Sequence, residues 1–441
     1  MATQADRLRH ALVDQLRQAG AVCAPRVEAA MRAVPRHVFV PGAPLRRAYA
    51  DDVVQTKLDS DGTPISAASQ PSIVAVMLEQ LAVAPGMRVL EIGAGTGYNA
   101  ALLAHLAGDD GSVVTLDVDD DIVDGARAAL GEAGFPGVTV VREDGALGYA
   151  PSAPYDRIVA TVGARDVPLA WQDQLAPDGR LVVPLRLRGG VTRSVAFEHA
   201  RETGPELRSV SSVMCGFMPM RASIASDERQ TLPLTRSGNV LLEVHQEQRD
   251  SVDPDALDGV FDTERVAVRT GVRFGDAVSA EWLFLWLTCT LNLGLFRMQV
   301  AQSAIDAGVV APLFRWGAVG AIEDGSLAYL SLGPAGESGN SGTTDAADSD
   351  AGREVEVVGH GPRGPDLAET ITERIRAWDT NYRTRTARFE IWPTGMASSP
   401  ALKAREDLFV FPTPANTLVV SWQGESETLH QPTRTSAISP V

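Results

Sequence analysis

Arg88-Val-Leu-Glu-Ile-Gly-Ala-Gly-Thr-Gly-Tyr98 reads as a strand running into a glycine turn and then a helix. Val89, Leu90 and Ile92 form a short apolar run, the pattern of a strand buried on both faces. Gly93, Gly95 and Gly97 let the backbone turn sharply and approach a ligand, since no Cβ obstructs either move. Asn99 to Leu106 is rich in Ala and Leu and reads as the following helix. The spacing is Glu-x-Gly-x-Gly-x-Gly rather than the Gly-x-Gly-x-x-Gly of dinucleotide enzymes. An acid, Glu91, stands just before the glycines. That combination points to S-adenosylmethionine (AdoMet), which has no pyrophosphate to seat on a helix N-terminus. Its amino group and methionyl tail suit an acid and a bare backbone turn.

Four more strands follow. Val113-Val-Thr-Leu-Asp117 ends in an acid roughly 20 residues past the turn, where such folds hold a ribose. Val138 to Gly145 ends in Asp144-Gly145, placed to meet an adenine edge. Tyr155 to Thr161 and Gly179 to Leu185 complete the set. The glycines and acids of the first three strands fall at their C-terminal ends, where a doubly wound α/β sheet binds its ligand. The expected fold is therefore a Rossmann-like, doubly wound α/β core that binds AdoMet, with an arrangement that resembles the class I AdoMet-dependent methyltransferases.

Length and charge bound the rest. The chain has 441 residues, too long for one ordinary domain. Its 39 basic and 56 acidic residues give a formal net charge of -17, and no basic stripe is visible. Nucleic acid and anionic membranes are unexpected partners. Cys23, Cys215 and Cys289 make no framework, which suits a reducing cytoplasm. The histidines show no ligand spacing, so no metal is expected. The polar start, Met1 to Gln18, does not read as a signal peptide. Trp282 to Phe296 is too short to span a bilayer and reads as a buried helix containing Trp282, Phe284 and Trp286.

Before the turn, Gln4 to Ala19 and Pro25 to Ala33 read as helices, Gln55 to Ser69 as a polar loop, and Ser72 to Leu81 as a helix begun by Pro71. Ser69 sits where an N-cap would be. Tyr49 and Asp51 either line an acceptor site or make a structural turn. Asp119, Asp120 and Asp121 read as solvated cap residues. The domains expected are 1–80 (N-terminal helices and acceptor segment), 81–215 (AdoMet core) and 216–441, a C-terminal α+β substrate-recognition domain with a flexible linker at 334–352. In that last part Ala318 to Leu332 reads as a hairpin about Asp324-Gly325, and Asp366 to Asp379 as an amphipathic helix. Val355 to Val358, Ala387 to Trp392 and Thr417 to Trp422 read as strands.

Residues 8 to 190 resemble the protein-L-isoaspartate O-methyltransferases. The resemblance rests on Arg26-Val-x-x-Ala-Met-Arg-x-Val-Pro-Arg-x-x-Phe-Val-Pro41, Ala48-Tyr-x-Asp51, Ser69-Gln-Pro-x-Ile-Val-Ala75, the glycine turn, Glu143-Asp-Gly-x-x-Gly148 and Pro154-Tyr-Asp-Arg-Ile158. It implies that Ser69 is the active-site hydroxyl with Ser66 as the other candidate. It implies that Asp117 holds the ribose and that Asp144 with Gly145 meets adenine. Glu91, Gly93, Gly95, Gly97 and Tyr98 complete the expected cofactor site. The segment Val53 to Ser66 departs from the family, which usually reads Pro-Leu-Pro-Ile-Gly and Gln-Thr-Ile-Ser there. The chain also continues far beyond the usual end, starting with Cys215-Gly-Phe-Met-Pro-Met-Arg221. Such an extended core resembles the methyltransferases of lanthipeptide and related ribosomal-peptide biosynthesis. That implies methylation of an aspartate in a cyclised precursor peptide, leading to aspartimide or isoaspartate, with S-adenosylhomocysteine as by-product. The alternative is repair of isoaspartate in damaged proteins. A carboxylate has a reference pKa of about 4 and needs no strong base. What it needs is alignment with the methyl and sulfur.

Overall fold

The computed structural model describes residues 3–60, 62, 64–201, 204–221, 229–274, 280–313, 317–333, 353–403 and 407–423. The expected linker at 334–352 lies outside them. Two compact units emerge: Met1–Leu185 with Thr192–Asp227 and Ala387–Val441, and Arg186–Val191 with Glu228–Thr386.

The first unit begins with α1 (Gln4–Gln18), α2 (Pro25–Ala33) and the single turn α3 (Leu45–Ala48). Thr3 caps α1 through a reciprocal pair of bonds with Asp6, and Pro25 opens α2, where its missing N–H costs nothing. Leu12, Val13 and Leu16 from α1 and Val27, Ala30 and Met31 from α2 enter one apolar cluster of the unit. The stretch 55–69, expected as a loop, forms an antiparallel hairpin of β1 (Val54–Leu58) and β2 (Pro64–Ala68). Gln55 and Thr56 are exposed, so no apolar alternation announced it. Then come α4 (Pro71–Leu81), β3 (Arg88–Ile92), α5 (Tyr98–Ala107), β4 (Ser112–Asp117), α6 (Asp120–Glu132), β5 (Thr139–Arg142), β6 (Tyr155–Ala160), α7 (Leu169–Gln174), β7 (Leu175–Arg186), β8 (Thr192–His199) and β9 (Leu207–Met214).

Strands β7, β6, β3, β4 and β5 lie side by side in that order, and each pair among them is parallel. Counted along the chain this is 5-4-1-2-3, the doubly wound order, with its reversal between β3 and β6. Val89, Leu90, Leu116, Ile158 and Val159 are essentially inaccessible, which is why these strands read as unbroken apolar runs.

The second unit carries β10 (Arg229–Pro233), β11 (Val240–His245), α8 (Pro254–Leu257), β12 (Val266–Phe274), α9 (Glu281–Thr290), β13 (Phe296–Val300), α10 (Gln302–Asp306), β14 (Ala318–Glu323), β15 (Ser326–Leu332), β16 (Arg353–His360) and α11 (Gly364–Asn381). Its seven strands pair antiparallel throughout, in the order β10-β11-β13-β14-β15-β16-β12. Asp324 and Gly325 both take positive φ, as the two-residue hairpin turn requires. Leu367, Ile371, Ile375 and Trp378 repeat at helical spacing and are the buried face of α11. Phe284 and Trp286 of α9 are buried and Trp282 half-buried, and Trp286 Nε1 donates to the Arg374 carbonyl at 2.9 Å.

The chain then returns to the first unit. Strands β17 (Ala387–Pro393), β18 (Leu408–Pro412) and β19 (Asn416–Trp422) extend the methyltransferase sheet beyond β9, giving ten strands. The expectation of one C-terminal domain from 216 to 441 therefore differs from the observed division. The last strands find their hydrogen bonds on β9, where Glu390 pairs with Arg208 and Ile391 with Leu207. Among the described residues, no helix is long and apolar enough to cross a membrane.

Candidate active site

The turn after β3 is set by backbone bonds: Gly93 N and Ala94 N both donate to the Leu116 carbonyl, at 2.9 and 2.7 Å. Gly93 takes φ +99, and a Cβ there would lie 2.7 Å from Thr161 Oγ1. That hydroxyl is needed where it is, because it donates to the Gly93 carbonyl at 2.6 Å. Gly95 takes φ +50 and faces the Ala67 carbonyl of the hairpin.

These glycines open onto a cleft of about 1050 Å³, counting its open mouth, large for a small-molecule site. Of the expected residues, Ser66, Ser69, Glu91, Gly93, Gly95, Tyr98, Asp117 and Gly145 line it. Gly97 and Asp144 are not among its lining residues. Gly97 starts α5 at φ +87, where a Cβ would press on the Ala126 carbonyl and Leu130 of α6; helix packing requires this glycine. Asp144 Oδ1 accepts from Ala146 N at 3.0 Å and caps the turn after β5. Its neighbour Glu143 lines the cleft instead, and no local sequence signal separates the two acids. Gly145 is fixed by Trp171, whose Nε1 donates to its carbonyl at 2.7 Å.

Glu91 is wholly buried. Its Oε2 accepts from Thr115 Oγ1 at 2.6 Å and its Oε1 from Asn99 Nδ2 at 2.8 Å. Burial pushes its pKa up to about 7, against the lowering effect of those two donors. Asp117 accepts from Gly95 N at 3.1 Å and Val118 N at 2.9 Å, so its carboxylate braces the glycine turn while lining the cleft. Burial raises its pKa despite those backbone donors. The Tyr98 phenol is pushed up to about 12 by burial and sits edge-on to Phe39, ring centroids 5.7 Å apart.

One wall is the hairpin segment 65–69. Ser66 Oγ accepts from Thr56 Oγ1 at 3.2 Å, whereas Ser69 Oγ makes no hydrogen bond among the described residues. Ser69 does not cap α4: Gln70 holds that position without a side-chain bond. The cap is supplied by Asp51, which accepts from Ser72 N at 2.8 Å and Gln70 Nε2 at 3.3 Å. Tyr49 is buried, its hydroxyl 2.7 Å from His37 Nδ1, so both take the structural alternative.

Another stretch of the wall is not among the residues that the motif reading assigns to the site. Phe217 to Arg221 runs beside the end of β6, with Gly163 N donating to the Met218 carbonyl and Met220 N to the Gly163 carbonyl, each at 2.8 Å. Its apolar composition was the only signal. Asp119, expected as solvated, joins the two stretches. It accepts from Lys57 Nζ at 3.0 Å and Arg221 Nη2 at 2.7 Å. The Arg221 bond, then the Lys57 bond, holds its carboxyl below the usual range. Lys57 also reaches Asp121 at 2.7 Å, and Asp120 meets Arg142 at 3.0 Å.

A positive-φ glycine cradle, a carboxylate at the end of the second parallel strand and an apolar wall fit AdoMet. The position at the sheet's reversal point is where such a ligand binds. Similarity of sequence supplies the family. Residues 7–223 match the family model described as protein-L-isoaspartate(D-aspartate) O-methyltransferase. The protein-L-isoaspartate O-methyltransferase of Methanopyrus kandleri is 40% identical over 215 residues, 48% of this chain and 91% of that one. That of Methanoculleus marisnigri is 46% identical over 179 residues, 41% of this chain and 77% of that one. A solved chain titled protein-L-isoaspartate O-methyltransferase covers 94% of this chain and 99% of its own, at 21% identity and TM-score 0.47. The chain belongs to the protein-L-isoaspartate O-methyltransferase family and is an AdoMet-dependent methyltransferase.

Proposed function

We propose that this member of the family methylates an aspartate side chain in a ribosomally synthesised, lanthipeptide-type peptide. The methyl ester then loses methanol to the following backbone nitrogen, closing an aspartimide that water opens to aspartate or isoaspartate. The observation that carries the carboxyl chemistry is the placing of Ser66 and Ser69 in the same cleft as Gly93, Gly95 and Asp117. AdoMet, when bound, supplies an electrophilic methyl group on a sulfonium. Asp117 and the glycine turn are assigned to hold it, with Tyr98, Gly145 and Glu91 behind. Ser69 Oγ donates to one oxygen of the acceptor carboxylate and aims the other. Ser66, already accepting from Thr56, supports that wall. Of the described residues lining the cleft, none is histidine or lysine. A carboxylate ionised at neutral pH requires neither.

The peptide-tailoring reading is supported by the second unit, which apart from 186–191 lies beyond the matched residues 7–223. We assign it to recognition of the cyclised precursor peptide, in the cytoplasm. Repair of isoaspartyl damage is the second reading, and the names of the relatives favour it. The test is to offer the purified chain and labelled AdoMet a cyclised aspartate peptide and a linear isoaspartate peptide in separate reactions. Methylation of the first with little of the second supports tailoring. Efficient methylation of the isoaspartate peptide alone makes the chain a repair enzyme.

A further inference from the structure

Arg36 ends the run Val34-Pro-Arg36 and is 0% exposed. Its Nε donates to the Ala48 carbonyl at 2.9 Å, and its Nη2 to the carbonyls of Ser69 at 2.9 Å and Ala68 at 3.3 Å. The guanidinium carbon lies 5.0 Å from the centroid of the Tyr98 ring. Nη1 is buried without a hydrogen-bond partner. No ion pair with a described carboxylate neutralises it. A guanidinium buried without a paired carboxylate is expensive. Three of the residues it touches, Ala68, Ser69 and Tyr98, line the cleft. One cation therefore stands directly behind both the acceptor segment and the first residue of α5.

We propose that Arg36 is a positioning residue for the acceptor carboxylate. By holding the carbonyls of Ala68 and Ser69 it fixes where Ser69 stands in the cleft wall. The inference rests on the reading of 66–69 as the acceptor segment. A lysine cannot replace it, because one ammonium lacks the planar fork that serves Ala48 on one side and Ser69 on the other.

The test compares Arg36→Lys and Arg36→Met with wild type in the full chain, using the better of the two peptide acceptors and S-adenosylhomocysteine as cofactor probe. R36K is expected to raise the acceptor KM about tenfold, the size of one charge-assisted hydrogen bond lost. Its Kd for S-adenosylhomocysteine should stay within about twofold, as the cation over Tyr98 is kept. R36M should lose more acceptor affinity than R36K. Amide exchange over 66–70 should quicken in R36K while that of β3 is unchanged. A purely structural role would instead lower the apparent kcat with the folded fraction and leave the acceptor KM unchanged. Unchanged acceptor KM and unchanged exchange in a folded R36K overturn the proposal. If wild type methylates no carboxylate, the functional reading falls, and exchange over 66–70 still decides whether Arg36 places that segment.

Discussion

Asn416 Nδ2 donates to Asp166 Oδ1 at 2.7 Å, joining residues 250 positions apart. Asp166 also accepts from Ala415 N at 2.6 Å and from Val167 N at 2.8 Å. Asn416 donates further to the Val167 carbonyl and accepts from Gln172 Nε2 at 3.0 Å. The loop after β6 and the turn before β19 are thus one buried polar cluster, which fixes the returning C-terminal strands to the methyltransferase unit.

Asp166→Ala would remove the acceptor of three donors, Val167 N, Ala415 N and one N–H of Asn416 Nδ2. It is expected to cost roughly 2–4 kcal/mol. Urea unfolding of the full chain, followed by tryptophan fluorescence, measures this. A midpoint equal to wild type would mean the cluster contributes nothing.

How much of this was legible in sequence depended on the range of each signal. The strand, turn and helix at Arg88–Tyr98 are local, as are Pro25 at the head of α2 and the Asp324-Gly325 turn, so they read directly. The return of β17 to β9 pairs Glu390 with Arg208, and nothing local in either strand names the other. The hairpin β1–β2 hid because exposed Gln55 and Thr56 look like loop. Of the residues that motif spacing singles out, Asp117, Gly93 and Gly95 line the cleft and Gly97 does not. That spacing assigned Asp144 where Glu143 lines the wall, since adjacent acids differ only in the turn that follows. The role of Asp119 required Lys57 and Arg221, both distant in sequence.

Glu91 has a folded pKa of about 7 against its ordinary 4.5. Its folded state binds more protons than its unfolded state between those values, so stability falls as pH rises through that window. The shift corresponds to roughly 3 kcal/mol, all present below pH 4.5 and lost above about 7. Glu91→Gln should remove this dependence. Urea midpoints for the two proteins at pH 5 and pH 8 test it: wild type should lose ground to the variant at the higher pH. Parallel changes would show that Glu91 does not titrate in the window.

Gly93→Ala must place a Cβ 2.7 Å from Thr161 Oγ1 at φ +99. It should weaken S-adenosylhomocysteine binding at least about tenfold through displacement of the turn. Calorimetric titration reads the affinity, and a Kd within twofold of wild type would show that the cradle tolerates the movement.

Asp119→Ala removes the acceptor shared by Lys57 and Arg221. All three groups are partly exposed, so global stability should change by less than about 1 kcal/mol. Amide exchange in the hairpin 54–68 should quicken while that of β3 and β4 stays constant. Unaltered hairpin exchange would show that the Asp119 pairs do not hold the wall.

Ser69→Ala removes the cleft hydroxyl that has no other described partner. Acceptor kcat/KM should drop about tenfold with S-adenosylhomocysteine affinity unchanged. Ser66→Ala should cost less, because that hydroxyl already serves Thr56. The reverse ranking would give Ser66 the contact.

The most direct measurement is the alkali lability of the transferred methyl group. The chain is incubated with methyl-labelled AdoMet and the peptide acceptor, and the purified product is exposed to mild base. A carboxyl methyl ester releases its label as methanol, with the peptide returning as aspartimide, aspartate or isoaspartate, and this is the result predicted. Label that stays on the peptide in base would mark methylation at nitrogen or sulfur and would contradict carboxyl transfer in this cleft.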